Sequence, residues 1–336
     1  MTIDANAMSM AQYAAISNDP MVKAVSFSLL DMGTAMTDIP FVEKKTLIAN
    51  GVRWEGNLPS VNWGAINSEP VVTIGTPKPY QEQAYVMRNS IDVDKVYVDE
   101  INQIVDPRGA QLAAYLKGVA YDFNNKFINN AHDGTGDNNA FVGLKSRIDN
   151  GLTYGVWSSA KIDAAGVDLS FTGITAATAN KFVEFVEQLL WSVDAPNGQG
   201  VTLYMNEVMK RRFATALRTM GTTGGFAIVK DQFDRTIETF MGAVVKDIGY
   251  QADQATRIIP TVESATGASS GGTFTSIYAV NYGQDHFFGW QYEPVNARDL
   301  GLLNNGVTYR TVIDWAGGLM SANIRSIGRL YDIKLS

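Results

Sequence analysis

The side chains best suited to chemistry in this sequence are few and scattered. Its two histidines, His132 and His286, lie in different segments, and neither falls in a metal-binding spacing such as HExxH. His286 stands among aromatics in GQDHFFGWQ, where a packed or interfacial ring is expected rather than a ligand or base. Asp133, Asp137 and Asn139 lie among glycines as in a calcium loop, but the carboxylate that closes such a loop is missing from its place. That stretch therefore reads as a Gly-rich helix stop and turn. Glu184 and Glu187 fall at i and i+3 of a helical pattern, which makes a solvated face, whereas a glycosidase pair must face across a cleft. With no cysteine, thiol nucleophiles, thiolate metal sites and disulfides are excluded together. A P-loop and a strand-led GxGxxG are absent, and the clusters at 134–136 and 221–225 lack the Lys and the element order that cradle phosphate. No catalytic, cofactor-binding or metal-binding residue is assigned, and no cofactor is expected.

Residues suited to contact are easier to find. Lys210, Arg211 and Arg212, with Arg218, make the strongest positive patch. It reads either as a helix surface meeting acidic groups of an adjacent subunit or as a nucleic-acid site, and the formal net charge of −7 favours the first. Weak, indifferent contact with nucleic acid is still allowed. Trp54 and Trp63 stand in a Pro- and Gly-broken stretch where a lone chain can hardly bury them. They are inter-subunit anchors or a cross-strand pair within a hairpin.

The element best able to organise these residues is Pro107–Ala131. Leu112, Leu116, Val119, Phe123 and Phe127 recur at steps of three and four and form one apolar stripe, opposite a polar face that includes Lys117, Asp122 and Asn129. Asp106 before Pro107 is a start signal, and AHDGTGDNN is the stop. At about 1.5 Å per residue the helix would reach roughly 38 Å, the length of a domain.

Before it, residues 1–40 are rich in Ala, Met and Ser, with short helical pieces expected at Met8–Ile16 and Val22–Leu30. Residues 41–99 alternate apolar and polar positions, most clearly Ile91, Val93, Val96 and Val98, and are interrupted by Gly56, Pro59, Pro70, Gly75, Pro77 and Pro79. This predicts a long hairpin that needs partners to cover it, since an isolated two-stranded ribbon is marginal in water. After the helix, TAATANKFVEFVEQLLWSVDAPNG gives a second amphipathic helix with Phe182, Phe185, Val186, Leu189 and Leu190 inward. VTLYM is a buried strand, Asn206 caps a helix over NEVMKRRFATALRT, and GTTGG is a loop. TIETFMGAVVKDIGY, FTSIYAVNYGQDHFFGWQ, GVTYRTVIDWAGGLM and SANIRSIGRLYDI read as strands.

Composition points the same way. At 336 residues the chain exceeds the usual size of one core, so two domains or one with large extensions is expected. Its charged fraction of 18% is below the about 25% typical of soluble domains, which suggests that other subunits cover much of the surface. No run of 18 apolar residues occurs, and the first residues lack the basic and apolar blocks of a signal peptide, so neither membrane insertion nor export is expected.

Taken in order, the arm, GNLPSVNWGAIN in the β extension, IDVDKVYVDE leading into the helix, FINNAHDGTGDNNAFVGLKSRI after it, TFMGAVVKDIGY, IYAVNYGQDHFFGWQ, and the final GVTYRTVIDWAGGLM and IRSIGRLYDI carry a resemblance over nearly the whole chain. The sequence resembles the major capsid proteins of tailed bacteriophages, whose fold was first described for phage Hong Kong 97. The resemblance implies an α+β capsid fold. Its parts would be an N-terminal arm (1–40), an extended β-hairpin loop (41–89), a peripheral domain with the spine helix 107–131 and a β-sheet (90–194 plus 300–336), and an α/β axial domain (195–299). It implies a non-enzymatic protein of the virion, made in the host cytoplasm, that self-assembles as pentamers and hexamers of an icosahedral shell around double-stranded DNA. Portal and scaffolding proteins, and decoration proteins, are implied partners. With no scaffolding extension before the arm and Met1 in place, a separate scaffold protein is expected rather than a processed chain. Trp54, Trp63, Lys78, Lys210, Arg211, Arg212 and Arg218 become inter-subunit contact candidates. Some members of the family join subunits covalently through a loop Lys, which would make Lys44, Lys45 or Lys78 the donor; solubility is the commoner reason for a Lys in a loop. The alternatives are a cellular encapsulin built on the same fold and, in another class, an α+β hydrolase or carbohydrate-binding enzyme with a concave acidic cleft.

Overall fold

A computed structural model describes residues 7–8, 34–55, 58–75, 77–99, 107–220, 226–230, 236–263 and 272–336. The chain runs through β1 (Ala7–Met8), α1 (Thr34–Asp38), β2 (Phe41–Glu43), β3 (Ile48–Trp54), β4 (Pro77–Gln83), β5 (Tyr85–Asp94), α2 (Lys95–Val98), α3 (Pro107–Asn129) and α4 (Leu144–Asp149). It continues with β6 (Lys161–Asp163), α5 (Ala176–Ser192), β7 (Val201–Met205), α6 (Glu207–Thr219), β8 (Phe226–Lys230), β9 (Thr236–Phe240) and β10 (Ala243–Asp247). The last strands are β11 (Phe274–Asn281), β12 (Phe287–Leu302), β13 (Thr308–Ser321) and β14 (Ile327–Lys334). Among the described residues no helix is long and apolar enough to cross a membrane.

The spine helix α3 buries Leu116, Val119, Phe123 and Phe127, while Leu112 near its start is half-buried. Asn124 is buried within the same stripe, a polar residue made tolerable because its Oδ1 accepts the Ala35 amide at 3.1 Å. The helix stops at Asn129, short of the expected Ala131. Asn130 folds the Gly-rich turn around itself: its Nδ2 donates to the Phe141 carbonyl at 2.8 Å and its Oδ1 accepts the Asp137 amide at 2.9 Å. Asp106, the expected cap, and the helical pieces expected beyond Met8 in the arm lie outside the described residues, as does the GTTGG loop; Met8 itself is in β1.

Two large sheets flank this helix. One has five strands in the order β1-β2-β12-β13-β5, built around the long antiparallel β12–β13 pair. Pro294 lies inside β12, which is possible because the register shifts between Glu293 and Asn296 release that position from the ladder. The other sheet has seven strands in the order β6-β14-β11-β7-β10-β9-β8 and is mixed, with β7–β10 and β6–β14 parallel. The C-terminal strand β14 therefore lies in the seven-stranded sheet, away from β12 and β13. A third, two-stranded sheet is the β3–β4 hairpin.

Three local readings are corrected by this arrangement. Val96 and Val98 do not continue β5: the Asp94 carboxylate accepts the Val96 amide at 2.8 Å and turns the chain into the single helical turn α2. TIETFMGAVVKDIGY is two strands, β9 and β10, divided at Met241 and Gly242, whose φ values of 48° and 88° make the mirror-image turn that suits a twisted hairpin. FTSIYAVNYGQDHFFGWQ is likewise split, into β11 and β12, by a turn at residues 282–286.

The aromatic side chains of α3 tie both sheets together. Phe123 packs against Trp315 of β13, with ring centres 5.9 Å apart, and against Phe141 at 5.1 Å. Phe127 reaches Phe287 of β12 and, at 5.7 Å, Tyr204 of β7. A second core lies between the seven-stranded sheet and α5 and α6, where Phe182, Phe213 and Phe240 meet edge to face. Thr175 and Thr178 form a reciprocal capping box at the start of α5, and Asn206 caps α6 by accepting the Met209 amide at 2.8 Å.

Candidate functional site

The feature least satisfied by its own chain is the β3–β4 hairpin and the segment it carries. The strands pair from Ile48–Gln83 to Trp54–Pro77. Beyond them, Leu58, Val61, Trp63, Ile66, Val71, Val72 and Ile74 are between 60% and 96% exposed. Single exposed apolar residues are ordinary, but a succession of them on one projecting segment marks an interaction surface. Trp54, opposite Pro77 and against Gly75, is 44% exposed, whereas Trp63 is 93% exposed.

The base of the hairpin, by contrast, is firmly seated. Arg147 of α4 is fully buried and grips Glu82 of β4 with two bonds, at 2.7 and 3.2 Å. Its Nε donates to the Val142 carbonyl at 2.9 Å. Arg53 of β3 is also buried; it pairs with Glu55, lies over the Tyr80 ring at 4.6 Å and packs against Gly155. Glu55 also binds Lys78 at 2.7 Å. Burial would raise the Glu55 carboxyl, but the bonds from Lys78 and Arg53 outweigh it and hold the group below its ordinary value. Gly51 lets the hairpin lie flat, since a Cβ there would meet the Tyr80 ring at 2.6 Å and the Met320 methyl at 2.7 Å.

The stretch from α1 to β2 is anchored too. Asp38 accepts from the Tyr204 hydroxyl at 2.7 Å and from Lys246, and the Tyr204 and Tyr282 hydroxyls share a bond of 2.7 Å. Burial, with the nearby Asp38 charge, pushes both phenols well above their ordinary value. Met36, Ile39 and Phe41 enter the core beside α3.

The basic run on α6 serves its own chain first. Lys210 pairs with Glu238 at 3.1 Å, Arg211 with Glu207 at 3.3 Å, and Arg212 lies over the Phe171 ring at 5.6 Å; Arg218 is exposed near the end of the helix. Of the loop lysines, Lys44 stands over Phe288 at 5.8 Å, Lys45 is exposed and Lys78 is the partner of Glu55. Asp133 and Asp137 spend their oxygens on turn amides, and Asp137 also pairs with Lys126 at 3.0 Å. His132 Nε2 meets the Ala140 carbonyl at 2.6 Å. Among the described residues no group of three or more acidic or histidine side chains is placed to hold a metal ion.

No family model matches the chain, and no curated protein is similar to it. Solved structures are. The capsid of cyanophage A-1(L) matches with a TM-score of 0.60 at 12% identity, covering 95% of each chain. The SrpI encapsulin of Synechococcus elongatus PCC 7942 gives 0.57 at 13% identity over 88% of this chain and 85% of that one. The capsid of a native GTA particle gives 0.54 at 12% identity over 91% and 90%. The fold is the Hong Kong 97-type capsid fold. α3 is the longest helix among the described residues, and the β3–β4 hairpin carries the exposed apolar segment. The hairpin's anchoring groups Arg147, Glu82 and Arg53, and Asp38 of α1, escape sequence reading, because a charged residue destined for burial has the same composition signal as one on a solvated face.

Proposed function

We propose that this chain is a major capsid protein, assembling as pentamers and hexamers of an icosahedral shell that encloses a double-stranded DNA phage genome. The observation that carries the reading is the apolar, solvent-facing loop segment 58–74, borne on a firmly seated hairpin in a fold matched across nearly the full length of a cyanophage capsid chain. Such a surface is costly in a monomer and becomes interface when a symmetric shell closes. Trp54 and Trp63 on the loop, with Lys78, are the contacts we assign first; Lys210, Arg211, Arg212 and Arg218 form a secondary candidate face.

In this reading residues 1–40 are the arm and 41–89 the loop laid over a neighbour. Residues 90–194 with 300–336 form the peripheral domain, and 195–299 form the axial domain around the five- and six-fold axes. The protein has no enzymatic role, resides in the virion after assembly in the host cytoplasm, and works with portal and scaffolding proteins and with decoration proteins. An acidic chain with Lys210 and Arg211 of α6 engaged by Glu238 and Glu207 suits a wall that touches packaged DNA only weakly. The match to the SrpI encapsulin supports a second reading, a protein-loaded compartment.

Negative-stain imaging of the purified protein tests the assembly claim. Closed, uniform shells are expected, and uniformly small particles under all assembly conditions would overturn it. Nuclease-protected DNA inside native particles supports the phage capsid; protein cargo without DNA supports the compartment.

A further inference from the structure

The β3–β4 hairpin shares no ladder with the seven-stranded sheet, yet one short stretch, residues 147–155, holds both. Arg147 of α4 grips Glu82 of β4. The turn that follows α4 takes the other strand: Arg53 of β3 donates from Nη2 to the Leu152 carbonyl at 3.5 Å, and its guanidinium lies against Gly155. Nearer the base, Ala49 and Gly51 rest on Met320 of β13. Farther along β3, Val52, Trp54 and Leu58 line an open cleft of about 600 Å³ with Asp285 and Arg325, so this end of the hairpin has room to tilt about its base.

Between the two grips stands Asp149. Arg147 and Asp149 are two residues apart on a helix, so their side chains leave opposite faces of α4. The Asp149 carboxylate binds Lys161 of β6 at 2.7 Å and Arg329 of β14 at 3.5 Å, and β6 and β14 are the parallel pair at one edge of the seven-stranded sheet. Arg329 is itself fixed. It is 5% exposed, donates from Nε to the Ser276 hydroxyl at 3.1 Å and from Nη2 to Glu263 at 3.0 Å, and lies over the Tyr278 ring at 5.5 Å. A guanidinium so placed cannot follow a moving α4 without giving up bonds that burial makes costly to lose. With Leu144, Arg147 and Ile148 all buried, α4 is a short, well-packed bar that carries hairpin partners on one side and sheet partners on the other.

We propose that residues 147–155 are a coupling segment: the ion pairs of Asp149 with Lys161 and Arg329 set the position of α4, and through Arg147 and the turn after it they set the tilt of the hairpin. A shift of the β6–β14 edge is thereby passed to the loop, and the coupling runs equally in reverse. Asp149 is a positioning residue that acts through its neighbours. The device belongs to the single chain and goes beyond the shell reading.

Hydrogen exchange of the unassembled full-length subunit tests it. Asp149→Asn keeps the side-chain shape and removes the charge. It should speed exchange of the ladder amides in 48–54 and 77–83 about five-fold or more, while the amides of the β12–β13 pair keep wild-type rates. Lys334→Met is the control, since it removes from β14, the strand of Arg329, the 3.0 Å pair with Asp168, which involves no residue of 147–155. Hairpin exchange should not change in that variant. If Asp149→Asn does not fold, Lys161→Met carries the same test with the carboxylate left in place. Hairpin rates that stay at wild-type values, that rise only in step with those of β12–β13, or that rise equally in Lys334→Met overturn the inference. None of these outcomes bears on whether the chain builds shells, which imaging decides separately.

Discussion

Arg147 and Glu82 join α4 to the hairpin through two parallel bonds, Nη1 to Oε1 at 2.7 Å and Nη2 to Oε2 at 3.2 Å, with the guanidinium wholly out of solvent. Arg147 Nη2 also donates to the Leu319 carbonyl of β13 at 3.2 Å, so one side chain holds β4, the five-stranded sheet and α4 together. This relationship explains how a loop can be apolar and unsupported at its tip yet fixed in direction. Removing one member of a buried pair strands the other, at a cost of about 3–5 kcal/mol. Arg147→Met should therefore destabilise the unassembled subunit by that amount in urea unfolding, and adding Glu82→Met should restore part of it. Simple additivity of the two losses would show that the pair does not act as a unit.

Tyr80, on the same hairpin, gives the seat a dependence on alkaline pH. Burial pushes its phenol up from 10 to about 12, the Arg53 charge opposing and the Glu82 charge reinforcing the shift. The folded value lies above the unfolded one, so the neutral phenol's contribution is complete below pH 10 and is lost as pH rises through about 12. Tyrosinate absorbance of the folded subunit should show Tyr80 titrating later than exposed phenols, and Tyr80→Phe should reduce the late component by one phenol, the rest belonging to the buried Tyr204, Tyr278 and Tyr282. An unchanged titration curve in Tyr80→Phe would refute the assignment.

Gly155 faces the buried guanidinium of Arg53 at a φ of 69°. Gly155→Ala brings two penalties, a left-handed backbone that alanine resists and a methyl placed where the guanidinium lies. The expected loss is about 1–3 kcal/mol in urea unfolding. Limited proteolysis in residues 48–83 should quicken as Arg53 is displaced. Gly118, with open space around its Cβ and an ordinary helical backbone, is the control: Gly118→Ala should be neutral or slightly stabilising.

How much of this was legible beforehand follows from the range of each interaction. The stripe of α3, the alternation of β13 and the side-chain cap at Asn206 are local patterns, readable within one or two turns of chain. The break at Met241–Gly242 is signalled by the glycine but masked by the apolar residues on both sides of it. Val96 and Val98 kept the strand rhythm while a single carboxylate, Asp94, decided the turn. Arg147 with Glu82 and Asn124 with Ala35 are pairs separated by 65 and 89 residues, and no local pattern tells a buried polar partner from a wet one. The projecting loop was legible for the opposite reason. Its Trp, Val and Ile among prolines and glycines could not build a core of their own, so exposure followed from composition.

Phe123 packs in the core against Phe141 and Trp315. A charge here would lie 5% exposed among aromatic rings, a burial costlier than the about 3–5 kcal/mol of a large-to-small core change. Phe123→Asp should leave the protein insoluble and free of shells. Phe123→Leu keeps the stripe apolar and should stay soluble and form shells, at a cost in stability of the lost ring contacts with Phe141 and Trp315. Expression and solubility assays followed by imaging separate these outcomes, and a soluble, shell-forming Phe123→Asp would place the apolar stripe of α3 on the wrong side of the helix.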